Sequence, residues 1–377
     1  MPIHDVGYRR WKGEITATWS RWTAITSIGI RTALSSRWIR RILLAAWFPV
    51  IYFGIILFIF EGLMVTTPSG QVSGNLEILK ESLQKEGALI PGDGMIPGQD
   101  PNQALQEGVD QVTDLVQNAE EQVAFKYKKE ALANNPLIGF LPNGEALSEA
   151  LQTGNPSDFR HTVWCYLLSS FLQYSQGFMT LMIVGLIVPP LISRDVRSRA
   201  LLLYYSRPIT RIEYVLGKLA IPGFVLMMIT LAPALVLYLV GVMLSPDLSV
   251  LRDTWDLPFR IILGTVVCVI PTCLIGLLLS SLTQESRFAG FAWFTIWGLG
   301  AVVWLGIYTS NSTPNRGPYE SDWSLISIYS TIGRVQSWIF GLELDLQRVL
   351  PSILLLVVVS FLSAIWLYRR VSAPIRI

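Results

Sequence analysis

Charged residues are scarce in this sequence. Asp, Glu, Lys and Arg together make up 15% of its 377 residues, whereas soluble domains average roughly 25%. Hydrophobic residues make up 51%, and the mean hydropathy is +0.46. The composition therefore excludes an ordinary soluble protein and predicts a membrane protein.

Cysteine and histidine are also rare. Cys165, Cys268 and Cys273 all fall within apolar runs, and the two histidines are His4 and His161. Without a CxxC pair or clustered ligands, the sequence predicts neither a disulfide framework nor a metal site.

Motifs for nucleotide binding and catalysis are missing. Gly217-Lys218 is followed by Leu219 and has no glycine five residues upstream, so it is not a phosphate-binding GxxxxGK[ST] loop. GxSxG and HExxH are absent too. The apolar runs have no ionisable residue near their centres, and Glu61 lies near the outer end of the first. We therefore expect no enzyme activity, no cofactor, no nucleic-acid partner and no ion-driven carrier.

Six apolar runs are long enough to cross a bilayer core, which takes about 20 residues. An all-α polytopic protein with six transmembrane helices is therefore predicted. The runs are residues 42–64, 164–189, 219–244, 261–281, 288–308 and 349–368. The first starts too late and is too long for a cleavable signal peptide, so Arg40-Arg41 before it indicates a signal anchor.

The distribution of charge predicts the orientation. With both termini in the cytoplasm, the inner segments hold 18 of the 29 Lys and Arg residues but only 5 of the 27 acidic residues. This agrees with the excess of basic residues in cytoplasmic loops. We expect a multi-pass protein of the plasma membrane, specifically of the bacterial inner membrane.

The cytoplasmic N-terminus, residues 1–41, is rich in Trp and Arg. A helix from Glu14 to Arg37 would place five residues on one face, with Arg21 and Arg31 roughly opposite. The five are Ile15, Trp19, Trp22, Thr26 and Ala33. This pattern predicts an amphipathic interfacial helix in contact with membrane lipid, turning near Ser35-Ser36. The alternative is a poorly ordered basic leader.

Two segments are predicted to lie outside the cell. In residues 65–163, apolar residues alternate four and three apart, which indicates a small coiled-coil-like helical insertion. These residues are Leu105, Val109, Val112, Val116, Ala119 and Val123. The second segment, residues 309–348, is semi-apolar in its later part and favours re-entrant or interfacial helices over a seventh span.

The second span is the most polar. Its outer half contains Ser169, Ser170, Gln173, Tyr174 and Gln176. Lipid cannot satisfy such groups, so they face a cavity or another helix. Two hypotheses stay open: a substrate path at the centre of a dimer, or hydrogen bonding between helices of one bundle.

Residues 190–218 form a basic segment between spans two and three, which we call the coupling elbow. Pro208 disfavours helix at Arg207. Thr210 and Glu213 have the spacing of a capping box, which predicts that a helix begins there. The elbow therefore consists of two helices with a stop between them.

The elbow resembles the cytoplasmic loop after the second span in permease subunits of ABC-2 type exporters. The matching positions are Asp195, Ser198 to Ala200, Leu201 to Leu203, Ser206 to Arg211 and Gly217-Lys218. Asp195 replaces the more usual Glu, and Arg199 stands where the family has Gly or Thr.

The resemblance implies a permease that an ABC ATPase subunit, with its ATP and Mg, drives through the elbow. The implied ATPase-coupling residues are Asp195, Arg197, Arg207, Pro208, Arg211, Glu213 and Lys218. It also implies a homodimer or a heterodimer with a second permease. The alternative function is a non-transporting membrane scaffold that binds partners through the external coiled coil.

Overall fold

The structure is a computed structural model that describes residues 21–65, 159–200, 209–245, 249–310, 325–343 and 345–372. The described part of the chain is helical and contains no strand. The amphipathic pattern before residue 21 lies outside the described residues, as do residues 66–158 of the insertion predicted at 65–163.

The first three helices form the N-terminal part of the fold. They are α1 (Arg21–Ser35), α2 (Arg37–Ala45) and α3 (Phe48–Val65). The turn predicted near Ser35-Ser36 is confirmed, because Ser36 has an extended backbone and separates α1 from α2.

The second span consists of α4 (Phe159–Ser170), a π-helical segment (Phe171–Gln176) and α5 (Gly177–Ile187), and it continues into α6 (Pro189–Arg197). The π-helical turn coincides with the polar part of the span. Such turns interrupt regular α-helical hydrogen bonding, and they occur frequently at functional sites.

The third span consists of α7 (Arg211–Ile229) and α8 (Leu231–Leu244). The break between them lies at Thr230, three residues before Pro233. Proline cannot donate to the carbonyl four residues earlier and its ring crowds that carbonyl, here that of Ile229. Pro222, by contrast, lies inside α7 without ending it.

The remaining helices follow in chain order. They are α9 (Ser249–Asp253), α10 (Leu257–Leu282), α11 (Ser286–Ser310), α12 (Ile328–Ile339) and α13 (Leu346–Ser372). The α12 helix is buried along most of its length and packs against α13 and α10. It lies in the segment where re-entrant helices are predicted.

Five helical segments of the described residues are long and apolar enough to cross a membrane. They are Arg37–Gly62, Phe159–Arg197, Arg211–Leu244, Leu257–Leu282 and Leu346–Val371. The predicted span at residues 288–308 coincides with α11, which is not one of these five, so a sixth span stays a prediction. The helix that contains the second predicted span starts at Phe159, before residue 164, where that span is predicted to begin.

Contacts between helix ends give the bundle two distinct polar ends. At one end the elbow contacts the turn between α10 and α11. At the other, the end of α3 meets the start of α4 and the end of α8. Consecutive spans therefore run in opposite directions. Two clusters of buried apolar side chains lie between these ends, one including Tyr214 and Ile221 and the other including Trp164 and Phe171.

Candidate functional site: the coupling elbow

The elbow begins where Pro189 and Pro190 occupy the first positions of α6. Proline suits the start of a helix because its missing N–H needs no partner there. The Ser280 hydroxyl of α10 donates to the Pro189 carbonyl at 2.7 Å. The same oxygen accepts from the backbone N–H groups of Ile192 and Ser193 at 3.1 and 3.2 Å. The first turn of α6 is thus attached to the fourth span.

A buried ion pair joins the two helices of the elbow. Lys218 Nζ of α7 lies 2.7 Å from Asp195 Oδ2 of α6, and Tyr214 donates its hydroxyl to the same carboxylate oxygen at 2.7 Å. Lys218 also donates to the Leu191 carbonyl at 2.8 Å and is only 7% exposed. These bonds fix the position of α6 relative to α7.

The start of α7 has the predicted capping box. Glu213 N–H donates to Thr210 Oγ1 at 3.3 Å, and Thr210 N–H donates to Glu213 Oε2 at 2.7 Å. This reciprocal pair satisfies two amides that the first turn of a helix leaves without partners. The prediction that a helix starts here is confirmed, and Arg211 in its first turn is exposed.

The end of α6 contacts the neighbouring turn of the bundle. Arg197 Nη1 lies 2.9 Å from Glu285 Oε1, in the short connection between α10 and α11. Both side chains are about half exposed, so the pair contributes at most about 1 kcal/mol. Arg199, just after α6, has a φ of 54°. A residue in this left-handed conformation is more often glycine than arginine.

The α1 helix packs closely on α7. The Thr26 hydroxyl donates to the Gly217 carbonyl at 3.1 Å. A Cβ placed on Gly29 would lie 2.1 Å from Cδ1 of Ile221, and one on Gly217 would lie 3.1 Å from the Trp22 carbonyl oxygen. Glycine at both positions lets the two backbones approach. The face of α1 that includes Trp22 and Thr26 therefore packs on the elbow helix rather than on lipid.

The predicted coupling residues occupy three kinds of position. Asp195 and Lys218 are paired with each other, and Lys218 is buried between α6 and α7. Arg197, Arg211 and the capping residue Glu213 lie at the surface or near it. Arg207 and Pro208 lie outside the described residues.

The polar residues of the second span lie in the π-helical turn and at the end of α4 just before it. Ser169, Ser170, Gln173 and Gln176 are buried, whereas Tyr174 is partly buried. Gln176 donates to the Ala46 carbonyl at 2.9 Å, and Tyr329 of α12 donates to the Gln173 carbonyl at 2.7 Å. The contact of Gln176 within one protomer favours the hypothesis of bonding between helices for this residue.

A charged network at the opposite end of the bundle was missed by the sequence analysis. Glu61 is fully buried and accepts from Arg160 Nε at 3.1 Å and from Trp164 Nε1 at 2.8 Å. Ser245 of the third span donates to the same carboxylate at 3.2 Å. The available signal was that Glu61 ends one span while Arg160 immediately precedes the next, which places both at the same membrane surface.

A second part of this network joins α4 to α10. His161 Nε2 lies 3.1 Å from Asp256 Oδ1, and Arg260 Nε donates to Asp256 Oδ2 at 2.5 Å. Arg260 also donates to the Ile339 carbonyl at the end of α12 at 3.0 Å. Burial acts to raise the pKa of Asp256, but the hydrogen bonds and positive charge from His161 and Arg260 outweigh it and hold that pKa below its usual value.

Comparison with known proteins identifies one family. The family model described as "ABC-2 family transporter protein" matches residues 30–373, which is most of the chain. No curated protein and no solved structure matches the sequence significantly.

Proposed function

Because the chain belongs to the ABC-2 transporter family, we propose that it is the membrane-spanning permease subunit of an ATP-driven exporter. The family match over residues 30–373 is the observation that carries this proposal. Members of the family are membrane transport components, and the apolar helices fit a multi-pass membrane protein. In our proposal ATP and Mg bind to a separate ATPase subunit, and the permease works as a homodimer or with a second permease.

We propose that the ATPase contacts the elbow at the start of α7. Arg211 is exposed there, and Ile212 and Leu216, one helical turn apart, are 58% and 46% exposed. Exposed ion pairs contribute only about 0–1 kcal/mol each, whereas burial of apolar surface is the dominant favourable contribution to most protein–protein association. Ile212 and Leu216 would therefore supply affinity, and Arg211 would orient the contact.

Force applied at this surface has a continuous route into the membrane. The Asp195–Lys218 ion pair joins α7 to α6, and the Ser280 hydroxyl bonds α6 to the fourth span. Close packing at Gly217 and Gly29 holds α7 against α1. A push on the elbow would therefore move spans two, three and four together with α1. We place the translocation path between two permeases and propose that Tyr174, the least buried of the five predicted polar residues, lines it.

Copurification tests the proposal. The chain should be purified from its native membranes in mild detergent, and the associated ATP hydrolysis measured. Wild-type protein should bring down an ABC-type ATPase, and Arg211→Glu should reduce the recovered activity severalfold because it reverses the charge of the contact surface. Arg252→Glu makes the same change at an exposed arginine of α9, on the opposite side in our topology, and should have no effect.

Two outcomes would overturn the proposal. The wild-type chain could copurify without any nucleotide-hydrolysing partner. Alternatively, Arg252→Glu could abolish ATPase recovery while Arg211→Glu leaves it intact, which would place the partner on the other surface. Expression level and thermal stability of each variant should be measured alongside, so that loss of partner is separated from loss of fold.

A further inference from the structure

A groove with a cavity of about 680 Å³ lies between α1, α6 and α7, beside the elbow. Its volume is within the roughly 300–1,000 Å³ typical of small-molecule sites. The apolar part of its wall consists of side chains from five helices and of Ile209, which lies just before α7. Among these are Ile28, Ile39, Leu186, Ile187, Ile209 and Ile221.

The groove is open on its apolar side. Ile28 and Leu186 line it, yet they are 68% and 46% exposed. The apolar wall therefore continues onto the outer surface of the bundle, where acyl chains surround a membrane protein. An apolar chain could enter from the bilayer without crossing water.

The charged part of the groove has an unbalanced positive charge. Arg194, Asp195 and Lys218 line it, but Asp195 and Lys218 neutralise each other in the buried pair. Arg194 is exposed, and among the described residues no ion pair or side-chain hydrogen bond engages its guanidinium. A guanidinium of this kind suits a phosphate, which it can bind through two parallel hydrogen bonds.

The neighbouring α2 helix indicates that the groove lies at headgroup depth. Arg37, Arg40 and Arg41 are exposed on it, and Arg41 lies over the ring of the exposed Trp38, 5.5 Å from the ring centre. Tryptophan and arginine together are typical of the membrane interface. Ser36, which precedes α2 and lines the groove, makes no capping hydrogen bond with its side chain.

We propose that the groove binds one phospholipid with an anionic headgroup from the cytoplasmic leaflet. Its phosphate lies against Arg194, with the Ser36 hydroxyl available as a further donor, and an acyl chain follows Ile28 and Leu186 out of the groove. Because the groove separates α1 from α6, the bound lipid fills a space at the joint between the N-terminal helices and the elbow. This proposal rests on the proposed function only for the cytoplasmic position of the elbow.

Native mass spectrometry of the full chain in detergent tests this site. Phosphatidylglycerol and phosphatidylcholine with identical acyl chains should be titrated separately. We expect one phosphatidylglycerol to be retained per chain in preference to phosphatidylcholine. Arg194→Gln should lower the affinity for phosphatidylglycerol about fivefold, the usual effect of one basic residue at an anionic surface. Arg31→Gln removes an exposed arginine of α1 that does not line the groove and should leave the affinity unchanged.

A second variant keeps the test independent of Arg194. Ile28→Glu places a carboxylate on an exposed part of the wall, so the fold should persist while lipid retention falls. Ser27→Glu makes the same addition at an exposed neighbour outside the groove and is the matched control.

Three results would overturn the lipid site. Equal retention of the two lipids by the wild-type chain would remove the headgroup preference. If Arg194→Gln and Arg31→Gln lose equal affinity for phosphatidylglycerol, the lipid is attracted to the basic surface as a whole rather than to the groove. Displacement of the lipid by inorganic phosphate would indicate a site for a free anion. The assay needs no ATPase, so failure to recover an ATPase leaves its result intact and counts against the proposed function alone.

Discussion

Lys218 and Asp195 set the geometry of the elbow at the scale of single residues. Their side chains are 9% and 16% exposed, and their atoms lie 2.7 Å apart. Removing one member of a buried pair leaves an uncompensated charge, which costs more than the intact pair contributes. The pair could not be predicted from the sequence, because Asp195 is 23 residues from Lys218 and lies on another helix.

Lys218→Met should destabilise the protein by about 3 kcal/mol. This is the low end of the cost of breaking a buried ion pair, because Asp195 is partly exposed. Thermal unfolding in detergent measures the effect. The double variant Lys218→Met with Asp195→Asn should recover part of the loss, because it removes the orphaned carboxylate. If the single variant unfolds like the wild type, the pair does not brace the elbow.

Asp256 provides a pH-dependent test at the opposite end of the bundle. Its pKa is held below the usual value in the folded protein, so its contribution to stability is complete above the unfolded pKa of about 4 and is lost as the pH falls through the folded value. The melting temperatures of wild type and Asp256→Asn should therefore differ at neutral pH and converge below about pH 4. A constant difference down to pH 3 would contradict the assignment.

At the scale of elements, features that depend on adjacent residues could be predicted from the sequence, whereas contacts between distant helices could not. The capping box at Thr210 and the turn at Ser36 depend on adjacent residues, and both were predicted. The π-helical turn at Phe171 to Gln176 has no sequence signature of its own, and it lies where α12 and α3 contact the second span. Glu61 and Arg160 are 99 residues apart, so only their shared position at a span end could suggest the pair.

The contact between α1 and α7 yields a prediction about an element. Gly29→Leu should destabilise the protein by about 1–3 kcal/mol, because its side chain overlaps Ile221. Gly223→Leu in α7 is the control, since a Cβ on Gly223 meets nothing within 4 Å. Ile221→Ala in the Gly29→Leu background should restore stability, as measured by thermal unfolding. Equal effects of the two leucine substitutions would refute close packing at Gly29.

At the scale of the whole molecule, the two polar ends have different characters. The elbow end joins α1, α6, α7 and the turn after α10, and its exposed residues include Arg197 and Arg211. The opposite end contains the Glu61–Arg160 and His161–Asp256 contacts. We infer that the first end receives the movement of the ATPase and that the second holds the outer ends of the spans together.

Site-specific photo-crosslinking in native membranes tests this account most directly. A photoreactive amino acid at Ile212, exposed at the start of α7, should crosslink to an ABC-type ATPase, and the yield should change when ATP is depleted. The same group at Leu251, exposed in α9 at the opposite end, should give no ATPase adduct. An ATPase adduct from Leu251 but not from Ile212 would contradict the coupling role of the elbow.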